Sequence, residues 1–286
     1  MKLVSFGPAG DERPGVLIEN GILDLCALDE TLPRTLREII AHERLGGLHR
    51  LIDATPPLDP ALVAVAGTRL GPPIPDPSKI VCVGLNYADH AAEQNKPLPE
   101  SPLLFAKAPT CLCGSGDPIV LPAGEARVDI EAELAFVVGY RARQVRAADA
   151  YRYVAGYMCF NDVSGRAAQY GDKQWFRGKS FDTFGPCGPY LLTSDELPEP
   201  HALAIESRLD GRVMQQSRTD QMVFRVPQLV EYITRFMTLL PGDIVATGTP
   251  AGVGVYRQPP VFLQAGNRVE VRIERLGTVA NPVRAE

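Results

Sequence analysis

Apolar and β-branched residues gather in short runs bounded by turn residues, and few stretches carry the 3.6-residue period of an amphipathic helix. Strands are predicted at residues 3–6, 16–18 and 22–25, with Asn20-Gly21 as a hairpin turn between the last two. Others are predicted at 79–84, 119–121, 128–138, 153–160, 190–192, 204–209, 243–246 and 268–273. Helices are expected from residue 35 to an interruption at Gly46-Gly47, and at 87–94, 147–151, 164–170 and 226–239. The last has Pro227 in its first turn and Pro241-Gly242 past its end, where those residues belong. Many strands without β–α alternation predict a mixed β (α+β) fold and not a doubly wound or barrel enzyme. The pattern divides the chain into a small N-terminal α/β domain at 1–70, a linker at 71–78 and a main domain at 79–286. Four prolines between Gly71 and Pro77 make the linker extended and stiff. No chemistry is evident in the small domain, which is read as packing or lid support.

The strand at 128–138 carries the first chemical signal. Side chains alternate along a strand, so Glu131 and Glu133 share a face, with Ile130, Ala132 and Leu134 behind them. Exposed, the pair is an ordinary wet strand face. Buried, two adjacent carboxylates cost several kcal/mol per ion and demand a proton, a cationic side chain or a metal.

Composition narrows the class. With 45% hydrophobic and 22% charged residues, the chain is neither disordered nor membrane-like, and no apolar run approaches the roughly 20 residues of a spanning helix. A net charge of −5 without a basic cluster argues against nucleic acid. The six cysteines include no C-x-x-C pair, and the N-terminal residues lack a secretory signal, so reduced thiols in the cytoplasm are expected. Four histidines are too few for a His-rich site, which leaves oxygen ligands for any metal.

Four further stretches bear on chemistry. His90 and Glu93 lie three apart on a predicted helix; such a pair is either a solvated surface contact or a base oriented by a carboxylate. Asp162 is either a helix cap or a third oxygen ligand, with Arg166 and Gln169 on the next turn facing an anion. Lys179 stands between Gly178 and Ser180, where backbone and ligand can approach closely, although most lysines are solvated. The glycine-rich run 246–254 lacks the ending of a phosphate loop and is read as a turn presenting N–H groups and the Thr249 hydroxyl to a carboxylate.

Gly84-Leu85-Asn86-Tyr87-Ala88-Asp89-His90, Glu131-Ala132-Glu133-Leu134, Asn161-Asp162-Val163-Ser164-Gly165-Arg166, Gly178-Lys179-Ser180-Phe181 and Thr247-Gly248-Thr249-Pro250 occur in the order and approximate spacing of the fumarylacetoacetate hydrolase family, which the chain resembles from about Lys79 to Ile273. The resemblance implies a β-sandwich roll, a homodimer and a Mg²⁺ or Mn²⁺ site. By the same resemblance Glu131, Glu133 and Asp162 are metal ligands, His90 and Glu93 a water-activating pair on a lid, and Lys179 a catalytic lysine. Arg166, Gln169 and Thr249 correspond to substrate-holding positions. The family usually places aspartate after the arginine; Ala167 stands here, so support for Arg166 is expected to be missing.

The implied activity is hydrolysis of a carbon–carbon bond in a 2,4-dioxo acid of the acylpyruvate type, with water activated by His90 and an oxyanion stabilised by Lys179. The same machinery suits a 2-oxo acid decarboxylase, a 2-hydroxyhepta-2,4-diene-1,7-dioate isomerase or a ureidoglycolate lyase. A protein that binds oxo acids without turning them over is a further reading, disfavoured because binding alone needs no base.

Overall fold

The computed structural model describes residues 1–56, 60–171 and 173–286. Its frame is an eleven-stranded mixed sheet. From one edge to the other the strands run Leu62–Val63, Gly21–Asp24, Arg13–Ile18, Lys2–Phe6, Gly185–Thr193, Val154–Asn161, Ala132–Val138, Ile244–Ala246, Ile80–Gly84 and Leu103–Lys107, and Leu112–Cys113 pairs beside Gly185–Thr193. A five-stranded sheet, ordered Arg212–Arg218, Ala204–Leu209, Arg268–Ile273, Gly277–Ala285 and Ile119–Leu121, packs against the central strands. The fold is therefore mixed α+β with large mixed sheets and no closed barrel among the described residues.

Ala132–Val138 shows why the centre holds. Ala132, Leu134, Phe136 and Val138 enter one hydrophobic core and Ala135 and Val137 the other, so both faces are covered and the strand is almost continuously apolar. Each large side chain buried there contributes roughly 1.5–3 kcal/mol. In the helix Val226–Phe236, Val226, Leu229, Val230 and Ile233 are buried at i, i+3, i+4 and i+7, and Pro227 sits in the first turn.

Several boundaries differ from the sequence reading. The strand expected over 128–138 is two strands. Val128–Asp129 pairs with Ser164–Gly165, Ala132–Val138 joins the large sheet, and Glu131 lies in the break. There Glu131 N donates to Asn161 Oδ1 (3.1 Å) and Ala132 N to Gln215 Oε1 (2.9 Å), so side chains replace ladder bonds as the chain changes sheets. Gly46 and Gly47 do not interrupt a helix but open the next one, Leu45–Asp53; the break falls at Glu43, whose φ is 57°. Leu103–Lys107, Arg212–Arg218 and Gly277–Ala285 were not expected as strands. Lys2 and Leu3 pair with Leu192 and Leu191, so the N-terminal strands extend the same sheet as the main domain's. The proline-rich 71–78 stretch has no regular structure and is partly buried: Ile74 is in the core, and Pro73 O accepts from Ser5 Oγ at 2.8 Å. Among the described residues no helix is long and apolar enough to cross a membrane.

Candidate active site

Carboxylates from two segments meet in the interior. Asp162 follows the end of the Val154–Asn161 strand, and its backbone N–H donates to Glu131 O at 2.9 Å, which ties the two segments together. Ligand oxygens of Glu131, Glu133 and Asp162 lie within 4.8 Å of one another, and all three residues are buried.

Cations thread this cluster. Lys107 Nζ donates to Asp162 Oδ1 at 2.6 Å and to Val163 O at 3.2 Å. Lys179 Nζ bonds Asp162 Oδ2 at 2.6 Å and Glu131 Oε2 at 2.8 Å, over the face of Phe105 with 5.3 Å to the ring centroid. Arg166 reaches Glu131 Oε1 at 2.8 Å and Gln169 Oε1 at 3.0 Å. Its Nε and Nη2 donate to Asp129 Oδ2 at 3.1 and 2.7 Å. The support expected to be missing opposite Ala167 is thus supplied by Asp129, itself gripped by Gly254 N (2.7 Å) and Val255 N (3.0 Å). That expectation is corrected: the arginine is firmly oriented, by an acid two residues before Glu131.

Four buried carboxylates (Asp129, Glu131, Glu133 and Asp162) face three buried cations (Lys107, Arg166 and Lys179), and the deficit falls on Glu133. Among the described contacts its carboxylate accepts one bond, from Gly248 N at 2.9 Å. Burial, followed by the charges of Asp162 and Glu131, pushes its pKa well above the ordinary carboxylate value. Glu131 behaves oppositely: burial would raise it, but Lys179 and Arg166 more than reverse this and hold it low. Lys179 is lowered by burial but raised further by Asp162 and Glu131, so it stays an ammonium. Three hard oxygen donors with one uncompensated buried charge fit a hard divalent cation such as Mg²⁺ or Mn²⁺, which Glu131, Glu133 and Asp162 would hold.

Across a small cavity of about 70 Å³ stands the helix Ala88–Glu93. His90 Nδ1 lies 2.9 Å from Glu93 Oε2, and Gly252 N donates to Glu93 Oε1 at 2.9 Å. His90 Nε2 is 2.8 Å from Gln94 Nε2, and Tyr256 Oη donates to Gln94 Oε1 at 3.0 Å. His90, Glu131, Glu133, Arg166, Gln169, Lys179 and Thr249 all line the cavity, whereas Asp162 lies behind Lys179 and Glu93 behind His90. Thr249 is committed within the fold: its hydroxyl donates to Ala132 O (2.9 Å) and accepts from Gln215 Nε2 (2.7 Å).

The glycine-rich run presents its N–H groups to carboxylates, but to those of the protein: Glu133, Glu93 and Asp129. Sequence reasoning passed over Lys107, Asp129, Gln94 and Tyr256. Asp129 shares the alternation of Glu131 and Glu133 and could have been found by it; Lys107 carries no local signal.

Residues 79–284 match the fumarylacetoacetate (FAA) hydrolase C-terminal family, and the chain belongs to that family of enzymes. Over 99% of its length it is 43% identical to a protein of Bos taurus named as a mitochondrial oxaloacetate tautomerase, covering 91% of that protein. Among solved structures, the fumarylacetoacetate hydrolase of Exiguobacterium antarcticum superposes with a TM-score of 0.87 at 35% identity, over 100% of both chains. The maleylpyruvate hydrolase of Sphingobium sp. SYK-6 gives 0.82 at 32%, again over 100% of both. The cytoplasmic location expected from the sequence does not stand, because relatives spanning nearly the whole chain are named as mitochondrial. The free, mostly buried thiols that suggested it suit any reducing compartment equally.

Proposed function

We propose that this enzyme interconverts the keto and enol forms of a short 2-oxo dioate of the oxaloacetate type, with Mg²⁺ or Mn²⁺ held by Glu131, Glu133 and Asp162. The observation that carries this is the arrangement of one small cavity: His90, fixed by Glu93, stands across it from Lys179, Glu131 and Glu133. The tautomerase name of a relative 43% identical over 99% of the chain points the same way.

In this reading His90, fixed by Glu93, takes a proton from the carbon next to the 2-oxo group. Lys179, whose two carboxylate bonds use two of its three N–H groups, offers the third to the carbonyl oxygen as charge grows there. Transfer of that proton from the imidazolium to oxygen gives the enol and regenerates the base, and the reverse sequence gives back the ketone. A divalent ion, which Glu131, Glu133 and Asp162 would hold, would supply Lewis-acid stabilisation of the developing negative charge. Arg166 holds Glu131 in place through its bonds to Asp129, and Gln169 lines the pocket beside it. Hydrolysis of a 2,4-dioxo acid is the second reading, favoured by the His90–Glu93 pair, which could equally serve a water molecule.

The test is to add metal-loaded enzyme to oxaloacetate enol and follow both the decay of enol absorbance and the products. Acceleration without carbon–carbon cleavage is expected, and His90→Ala should lower it about 10²–10⁴-fold. Rapid release of two acid fragments from an acylpyruvate, with no effect on tautomer exchange, would overturn this in favour of hydrolysis.

A further inference from the structure

Gln94 lies outside the five stretches by which the chain resembles its family, yet it contacts the candidate base directly. Tyr256 Oη donates to Gln94 Oε1 at 3.0 Å, which turns the amide nitrogen toward His90 Nε2 at 2.8 Å. An amide nitrogen can only donate, so Nε2 is the acceptor and the imidazole hydrogen resides on Nδ1. Nδ1 then donates to Glu93 Oε2 at 2.9 Å, and the other Glu93 oxygen accepts from Gly252 N. With the amide in this orientation, the chain Tyr256, Gln94, His90, Glu93 runs in one direction, from hydroxyl to carboxylate. Both ends are anchored on the 252–256 segment, whose Tyr256 ring also lies 5.9 Å from the imidazole.

We propose that Gln94 is a positioning residue that selects the reaction. By capping His90 Nε2 it denies that lone pair to water, and it yields only to a substrate that enters the cavity and displaces the amide. This rests on the tautomerase reading and explains how a family scaffold with a histidine–carboxylate pair can avoid hydrolysing its substrate. Gln94 and Tyr256 are suited to such displacement: they are partly exposed at the cavity rim and joined to each other by a neutral hydrogen bond, with Tyr170 also bonded to the Tyr256 hydroxyl. No water adds to the substrate in this scheme. The proton that leaves carbon for His90 is given by the imidazolium to the enolate oxygen, so the base is regenerated and Lys179 keeps all its protons.

The experiment uses Gln94→Met, which keeps bulk but has no N–H, and Tyr256→Phe, which removes the hydroxyl that orients the amide. Oxaloacetate tautomer exchange and acetylpyruvate hydrolysis are measured in parallel with Mg²⁺. In substrate-free protein, ¹⁵N NMR follows the His90 ring nitrogens, assigned with His90→Ala. Gln94→Met should raise the ratio of hydrolysis to tautomer exchange about tenfold and move the Nε2 resonance toward that of an uncapped imidazole nitrogen. Tyr256→Phe should move both in the same direction by less. An unchanged Nε2 resonance and an unchanged ratio in Gln94→Met would overturn the capping role while wild-type tautomer exchange still supported the functional reading. Efficient acetylpyruvate hydrolysis by the wild type, with Gln94 in place, would overturn both. Because the NMR measurement needs no turnover, it decides the capping role even if oxaloacetate is not the substrate.

Discussion

The two walls of the cavity are built on opposite principles. The carboxylate wall is fixed by charge in the protein interior: Asp162 is fully buried between two lysines, and Arg166 braces Glu131 while Asp129 braces Arg166. Removing Lys107, Lys179, Arg166 or Asp129 leaves a buried partner short of counter-charge, so this wall has one arrangement. The imidazole wall is a short helix whose outermost contacts, from Gln94 and Tyr256, are single hydrogen bonds near solvent. Such bonds are worth roughly 0.5–1.5 kcal/mol each and can exchange with water or ligand. The contrast teaches that the site separates rigidity from adaptability: charge placement is locked, while access to the base is adjustable.

The comparison can be broken most forcefully at Lys107. Lys107→Met removes one partner of a fully buried pair and should cost about 3–5 kcal/mol, read as a lowered denaturation midpoint with unchanged slope. A loss below about 1 kcal/mol would show that the wall is not fixed by charge. Glu133→Gln comes next and has two opposite signs. Losing a ligand should weaken Mg²⁺ or Mn²⁺ binding beyond the roughly 10–100-fold carried by outer partners, measured by calorimetry. Removing the one uncompensated buried charge should at the same time raise the melting temperature of the metal-free protein. A metal-free protein that melts lower would contradict the charge deficit assigned to Glu133.

The smallest effect lies away from both walls and sharpens the contrast by showing a buried polar group without compensation. His201 is 6% exposed, and neither ring nitrogen has a hydrogen-bond partner among the described groups. Burial, then the charge of Arg225, pushes its pKa down from 6.5 to about 4. The unfolded chain therefore binds the extra proton first as pH falls. Stability is unaffected above pH 6.5, declines between 6.5 and about 4, and loses about 2 kcal/mol by pH 5. His201→Leu should flatten that part of the stability–pH curve; an unchanged slope would assign it to other groups.

Much of this architecture could be read from residue pattern. Alternation placed Glu131 and Glu133 together, and the proline and glycine signals bounded the Val226–Phe236 helix. The meeting of Asp162 with those acids came from motif resemblance, since nothing local says which distant acids converge. Lys107 was illegible for the same reason: a lysine ending a strand is indistinguishable from a solvated one until Asp162 closes on it from 55 positions away. The break at Ile130-Glu131 was also hidden, because its hydrogen bonds go to Asn161 and Gln215, side chains far along the sequence. Local propensity describes elements well and exchanges between them poorly.

The glycine-rich run carries a consequence for divergence. Gly248 and Gly252 adopt φ of +99° and +103°, and a methyl group on Gly252 would come within 2.3 Å of Met214 O. One short loop thus serves as a common gauge: its amides reach Glu133 on one bank and Glu93 on the other. An insertion there would throw acid cradle and proton acceptor out of alignment together. New substrate preferences must then arise at the rim, around Gln94 and Tyr256, where a change in one tooth does not strip the gear.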